Sequence, residues 1–157
     1  MIKLLRIDDR LLHGQVAMAW TKNLGIHTIV IANDSVASDE FLKMTLGLAK
    51  PIDVELRIEN VENATKFIKA NIESRQNVMV IINNLVDAKR ILSATPIKSL
   101  NIGNLRERKD SVRYSFSMTL TPEDISICKE LIDAGIELEL RMVPEEKKVL
   151  IKNLINK

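Results

Sequence analysis

Two short runs, Thr28–Ala32 and Val78–Ile82, constrain the fold more than any other feature of this chain. Each is almost wholly apolar and rich in β-branched residues, with no alternation of polar and apolar positions. A strand of that kind needs cover on both faces, the condition inside a parallel sheet flanked by helices. The rest of the sequence supplies the helices. Strands are expected over residues 2–7, 27–32, 53–58, 78–82, 99–102 and 136–142. Between them fall helical patterns, the first from about His13 or Gly14 to Asn23, with Val16, Ala19, Trp20 and Leu24 on one face.

The punctuation agrees with this rhythm. Gly25 offers a left-handed stop to the first helix. Ser38 is expected to cap a helix that ends before Pro51, and Asn60 one that runs to about residue 72. A further helix is expected over 85–93. Thr121-Pro-Glu-Asp124 combines a hydroxyl cap, proline in the first turn and acids at the positive end of the helix dipole. That helix closes at Gly135, and a last one is expected over 145–154. Strand–helix alternation without repeats or linkers predicts a single α/β domain over residues 1–157, with a mostly parallel central sheet and helices on both faces. The segment 104–117, crowded with Arg106, Arg108, Lys109 and Arg113, reads as an exposed loop with a short strand.

Composition excludes several functions. Hydrophobic residues make up 46% and charged ones 28% of the 157 residues, an ordinary globular balance. A net charge of +2 with only 3% aromatics does not suit a nucleic-acid binder, which needs basic patches and stacking platforms. The apolar runs are too short to span a bilayer, and no signal-peptide pattern opens the chain, so the expected location is the cytoplasm. His13 and His27 are the only histidines and Cys128 the only cysteine, too few for a usual zinc set. Cys128 lies within a helical pattern and reads as a packing residue. His27 opens a strand at the edge away from the carboxyl ends and reads as structural or solvated.

In open α/β sheets, ligands bind beyond the carboxyl ends of the strands. Residues 8–13, 33–38, 83–84 and 103–106 leave those ends, and the first of these segments is the richest in chemistry. Arg6-Ile-Asp-Asp-Arg-Leu-Leu-His-Gly-Gln15 sets one imidazole, His13, after two carboxylates and two guanidinium groups. Imidazole accepts a phosphoryl group well, because one nitrogen attacks while the other keeps its proton. Arg10 carries the planar fork that matches phosphate. Gly14 and Gln15 open a helix whose free amides favour an anion. Asp8 suits two roles equally, orienting the imidazole or closing a turn on the backbone. Arg6 can meet phosphate or pair with Asp8 or Asp9. The chemically silent reading of His13 is that of a helix cap.

On these residues the chain resembles the IIB component of the mannose–fructose–sorbose family of the bacterial sugar phosphotransferase system. Arg6-Ile-Asp-Asp-Arg-Leu-Leu-His-Gly-Gln-Val16 is similar to the family's active-site loop, and Ile29-Val-Ile-Ala-Asn-Asp-Ser-Val-Ala-Ser-Asp39 to its second strand and following loop. Asn101-Ile-Gly-Asn104 is similar to a segment where the family often carries paired glycines, Asn104 standing in place of the second.

The resemblance implies a cytoplasmic phosphoryl carrier without a cofactor, associated peripherally with the inner membrane face through the transporter. It would take a phosphoryl group from a phosphohistidine of IIA onto Nδ1 of His13. It would then pass it to the sugar imported by the membrane subunits IIC and IID. Arg10 would contact the phosphate and Asp8 support the loop; a homodimer is compatible with the family. No IIA-like sequence lies within the 157 residues, so the donor is expected to be a separate polypeptide or a part not included in this sequence. Two other readings compete. One is a regulatory module of the same fold that binds an anion or phosphoprotein without catalysis, and the other a hydrolase using His13 as a transient nucleophile. For the basic segment 106–113, docking to an acidic partner face is the functional alternative to simple solvation.

Overall fold

The computed structural model describes residues 1–156. In chain order the elements are β1 (Ile2–Asp8), α1 (Gly14–Leu24), β2 (Thr28–Ala32), α2 (Asp34–Ala37), α3 (Glu40–Gly47), β3 (Glu55–Glu59), α4 (Val61–Asn71), β4 (Val78–Ile82), α5 (Leu85–Ala94), β5 (Ser99–Asn104), β6 (Val112–Arg113), β7 (Thr119–Leu120), α6 (Pro122–Asp133), β8 (Glu137–Leu140), β9 (Val149–Leu150) and α7 (Ile151–Ile155). One sheet runs β3-β2-β4-β1-β5-β8-β9, and β6 pairs only with β7. Every neighbour in the large sheet is parallel except β9, which runs antiparallel to β8. This is the expected α/β architecture. The fully apolar strands β2 and β4 lie inside the sheet, where both faces are covered.

Strand alternation divides the core in two. Leu5, Ile7, Val30, Val80, Leu100 and Leu138 face one side with Ala64 and Ile68 of α4, Ala88 and Ile91 of α5 and Cys128 of α6. Ile29, Ile31, Met79 and Ile81 face the other, packed with Ala17 and Trp20 of α1 and Val36 of α2. On this second side the pattern changes character beyond β4. The corresponding positions of β1, β5 and β8 are Arg6, Asn101 and Glu139, all buried. Polar side chains under a carboxyl-end loop mark the part of the sheet that supports the site.

Several local signals act as read. Gly25 takes φ 60° and its amide donates to the Thr21 carbonyl, ending α1. Thr121 and Asp124 cap each other reciprocally at the start of α6. His27 is exposed at the foot of β2, where its Nδ1 accepts from the Asn77 amide at 2.9 Å. Cys128 is fully buried, and burial pushes its thiol up to about 12.

Other expectations need correction. Ser38 does not cap a long helix: its hydroxyl donates back to Ser35 and closes α2, which Asn33 caps. The cap of α3 is Asp39, whose carboxylate accepts from the Leu42 amide at 3.1 Å, and α3 stops at Gly47. A carboxylate at that position also meets the dipole, which a hydroxyl does not. The last helix is only Ile151–Ile155, because Val149 and Leu150 pair with Leu140 and Glu139 and cover the open edge of β8. Lys148 holds that turn through Glu137 at 2.7 Å. The strand expected over 136–142 is correspondingly shorter, Glu137–Leu140. The basic segment does form the expected exposed loop and short strand, and that strand, β6, pairs with β7 as a hairpin.

Candidate functional site

The loop between β1 and α1 is built on Asp8, at the buried end of β1. Its Oδ1 accepts from the Arg10 amide and from Arg10 Nε, each at 3.0 Å. Its Oδ2 accepts from Arg10 Nη2 at 3.0 Å and from Arg6 Nη2 at 3.3 Å. The bond to the Arg10 amide is the turn-forming role open to an aspartate here. Leu11 then takes φ 59°, a left-handed conformation that bulky residues rarely adopt. Burial of Leu11 and Leu12 in the core beside α1 holds that turn in place.

The consequence is that His13 is carried out to solvent. It stands as the cap residue of α1 with extended backbone, its side chain makes no capping bond, and its carbonyl starts the helix by accepting from Ala17. The imidazole is therefore not spent on capping. Gly14 and Gln15 follow in the first turn of an eleven-residue helix with no acid in that turn, so the amides there remain available to an anion. A Cβ on Gly14 would meet nothing within 4 Å, which leaves the approach to those amides open.

Arg6 sits beneath, 2% exposed. Its Nη1 donates to Asn101 Oδ1 at 2.7 Å and to the Arg141 carbonyl at 3.1 Å, and its guanidinium lies 5.6 Å from the Trp20 ring centre. Burial pulls its proton affinity below the ordinary value, opposed by the charge and hydrogen bond of Asp8. Arg6 thus forms the salt bridge with Asp8 considered from sequence, in the scaffold under the loop. Arg10 is different: its side chain is 24% exposed, and its bond to Asp8 raises it above its ordinary value. Asp8 accepts from both arginines and makes no hydrogen bond to His13 among the described residues.

Other residues of this support were not apparent in the sequence. Asp9 accepts from Asn104 Nδ2 at 2.7 Å, from the Arg106 amide at 2.7 Å and from Arg106 Nε at 3.1 Å, tying the loop to the basic segment. Asn104, where a second glycine is frequent in the resembled family, thereby gains a specific job. Arg108 is held by Asp124 at 2.9 Å. Trp20 Nε1 donates to the Met142 carbonyl at 2.9 Å, and Arg141 stacks over the Trp20 ring while pairing with buried Glu139 at 3.1 Å. The sequence hid these roles, because Asn101 and Glu139 alternate with apolar residues as on an ordinary half-solvated strand.

Next to His13, the cleft lined by Arg6, Asp8, Leu11 and Trp20 holds about 10 Å³. A cavity of about 390 Å³ opens instead at the opposite strand ends, along Ile2, Leu4, Ile97 and Ser99. An exposed imidazole on a shallow surface suits a handover between proteins better than enclosure of a small molecule.

A family model described as the PTS system sorbose subfamily IIB component matches residues 2–157. The chain belongs to that family. It is a IIB component of a sugar phosphotransferase system, a transferase of sugar transport. A probable phosphotransferase enzyme IIB component of Streptococcus pyogenes serotype M6 is 34% identical over 164 residues, covering 99% of this chain and 100% of that one. The mannose-specific EIIAB component of Escherichia coli K12 is 32% identical over 99% of this chain, which spans 49% of that longer protein. Among solved structures, the IIB domain of the sorbose permease of Klebsiella pneumoniae superposes with a TM-score of 0.92 at 32% identity, covering 99% of this chain and 96% of that one.

Proposed function

We propose that this IIB component carries a phosphoryl group on His13, receiving it from a phosphohistidine of IIA and delivering it to a sugar imported by the membrane subunits IIC and IID. The observation that carries the reading is the exposed, uncapped imidazole of His13 at the start of α1, above a fixed arginine–carboxylate network. The neutral ring attacks phosphorus through Nδ1 and keeps its proton on Nε2. As the new N–P bond forms, the N–P bond of the donor breaks, and the donor imidazole leaves with the pair and its own ring proton. No net proton is released, so positioning and charge compensation are what the loop must supply.

Arg10, partly exposed in the same loop, supplies positive charge, and the amides of the first turn of α1 supply directional donors. Arg6 acts from below by fixing Asp8. Among the described residues no helix is long and apolar enough to cross a membrane, and peripheral work at the inner membrane face, against IIC and IID, follows from the carrier role.

The test is phosphorylation in vitro from phosphoenolpyruvate through the general phosphotransferase proteins and a cognate IIA. Acid-labile phosphate is expected on the wild-type chain and on His27→Ala, and none on His13→Ala. Uptake by His13→Ala defeats the assignment. If the wild-type chain stays unphosphorylated but binds phospho-IIA, it acts as a regulatory module; release of inorganic phosphate from small esters without partners makes it a hydrolase.

A further inference from the structure

Arg10 presents its fork, Nε and Nη2, to the two oxygens of Asp8, each contact at 3.0 Å. This is the paired geometry in which a guanidinium also grips phosphate. The same two donors cannot serve both anions. Arg6 cannot stand in, since it is 2% exposed and already donates to Asn101, the Arg141 carbonyl and Asp8. A phosphoryl group that takes this edge of Arg10, rather than the remaining Nη1 donors, gains only the difference between its own contact and the one Asp8 gives up. It also meets the negative charge of Asp8 at short range.

We propose that Asp8 sets the transfer potential of phosphorylated His13 by competing with the phosphoryl group for Arg10. This rests on the carrier reading above. A carrier between two partners must hold its phosphoryl group loosely enough to give it away in either direction. An uncontested arginine would hold it too well. The competing carboxylate weakens that hold while still fixing the loop through the Arg10 amide and Arg6. The proposal and a purely structural role for Asp8 differ in sign: loss of the carboxylate charge favours the phosphorylated state in the first case and impairs it in the second.

The experiment measures the equilibrium between phospho-IIA and this chain, starting from either side, with acid-labile phosphate counted on each protein. Asp8→Asn keeps the shape and removes the charge. It is expected to move the equilibrium toward phosphorylated His13 by about tenfold, and to slow return of the group to IIA. In an Arg10→Lys background, which has no fork, the shift is expected to fall to about threefold or less. A folded Asp8→Asn chain with an unchanged or lowered equilibrium overturns the proposal, as does an undiminished shift in the Arg10→Lys background.

If Asp8→Asn fails to fold, the wild type decides. The nitrogen-15 resonance of Arg10 Nε should move on phosphorylation as its acceptor changes, and an unmoved resonance overturns the proposal. A wild-type chain that takes up no phosphate defeats the carrier reading itself, an outcome distinct from these.

Discussion

Gly103 and Arg6 touch so closely that any side chain at 103 must displace the guanidinium: a Cβ on Gly103 would lie 2.1 Å from Cζ of Arg6. The guanidinium lies against the bare backbone of β5, with Asn101 on the same strand as its partner. Because Arg6 is one of the anchors of Asp8, a glycine on one strand controls the loop that leaves its neighbour.

Gly103→Ala should therefore act at a distance on the loop. The methyl group can be accommodated only if the guanidinium moves, and overpacking of that kind costs about 1–3 kcal/mol. Urea denaturation should show the loss, and phosphate uptake by His13 should fall with it. A variant as stable as wild type, with Arg6 still bonded to Asn101, would contradict the close contact.

Arg6 itself should tolerate little change. Arg6→Leu leaves Asn101 Oδ1 without its donor, the Arg141 carbonyl with Asn101 Nδ2 alone and Asp8 with Arg10 alone, at a cost of about 3 kcal/mol. Arg6→Lys restores the charge but offers no fork and cannot reach three acceptors at once, so about half of that cost should remain. Chemical denaturation of the pair measures both. Equal stability of Arg6→Lys and wild type would show that charge alone suffices.

How much of this was legible in the sequence depends on the range of the interaction. The parallel sheet followed from the unbroken apolar runs of β2 and β4, and Gly25 and Thr121 marked their helix ends, because caps and burial patterns are local or periodic. His13, Arg10 and Asp8 could be picked out by chemistry and by a family-like motif. What local pattern could not supply was pairing across strands. Nothing near Asp9 names Asn104 or Arg106, and nothing near Gly103 names Arg6, since these contacts follow from β5 lying beside β1. The chain end departs from its local pattern for the same reason: residues 145–150 have helical spacing, but the free edge of β8 captures two of them as a strand.

The tie between Asp9 and the basic segment gives a test confined to that region. Asp9→Ala removes the acceptor of the Arg106 amide and of Asn104 Nδ2. Because Arg106 is largely exposed, global stability should change by only about 1 kcal/mol or less. The Arg106 amide should nonetheless exchange its hydrogen about tenfold faster, while amides in β4 keep their protection. Unchanged exchange at Arg106 would mean that the contact is not held in solution.

Cys128 offers a check on the core that does not depend on the site. Its side chain is fully buried on α6, and burial, aided by the nearby Asp124 charge, raises the thiol to about 12. Thiolate is the reactive form, and a raised thiol value means that it appears only at strongly alkaline pH. Raising the pH from 7 to 9 therefore ionises an ordinary exposed cysteine but leaves this one protonated. Reaction with an aromatic disulfide reagent should be negligible across that range in the native protein, and rapid once urea unfolds it. A native thiol whose rate climbs between pH 7 and 9 as an exposed one does would show that α6 opens readily, and that the packing on that face of the sheet is looser than the structure describes.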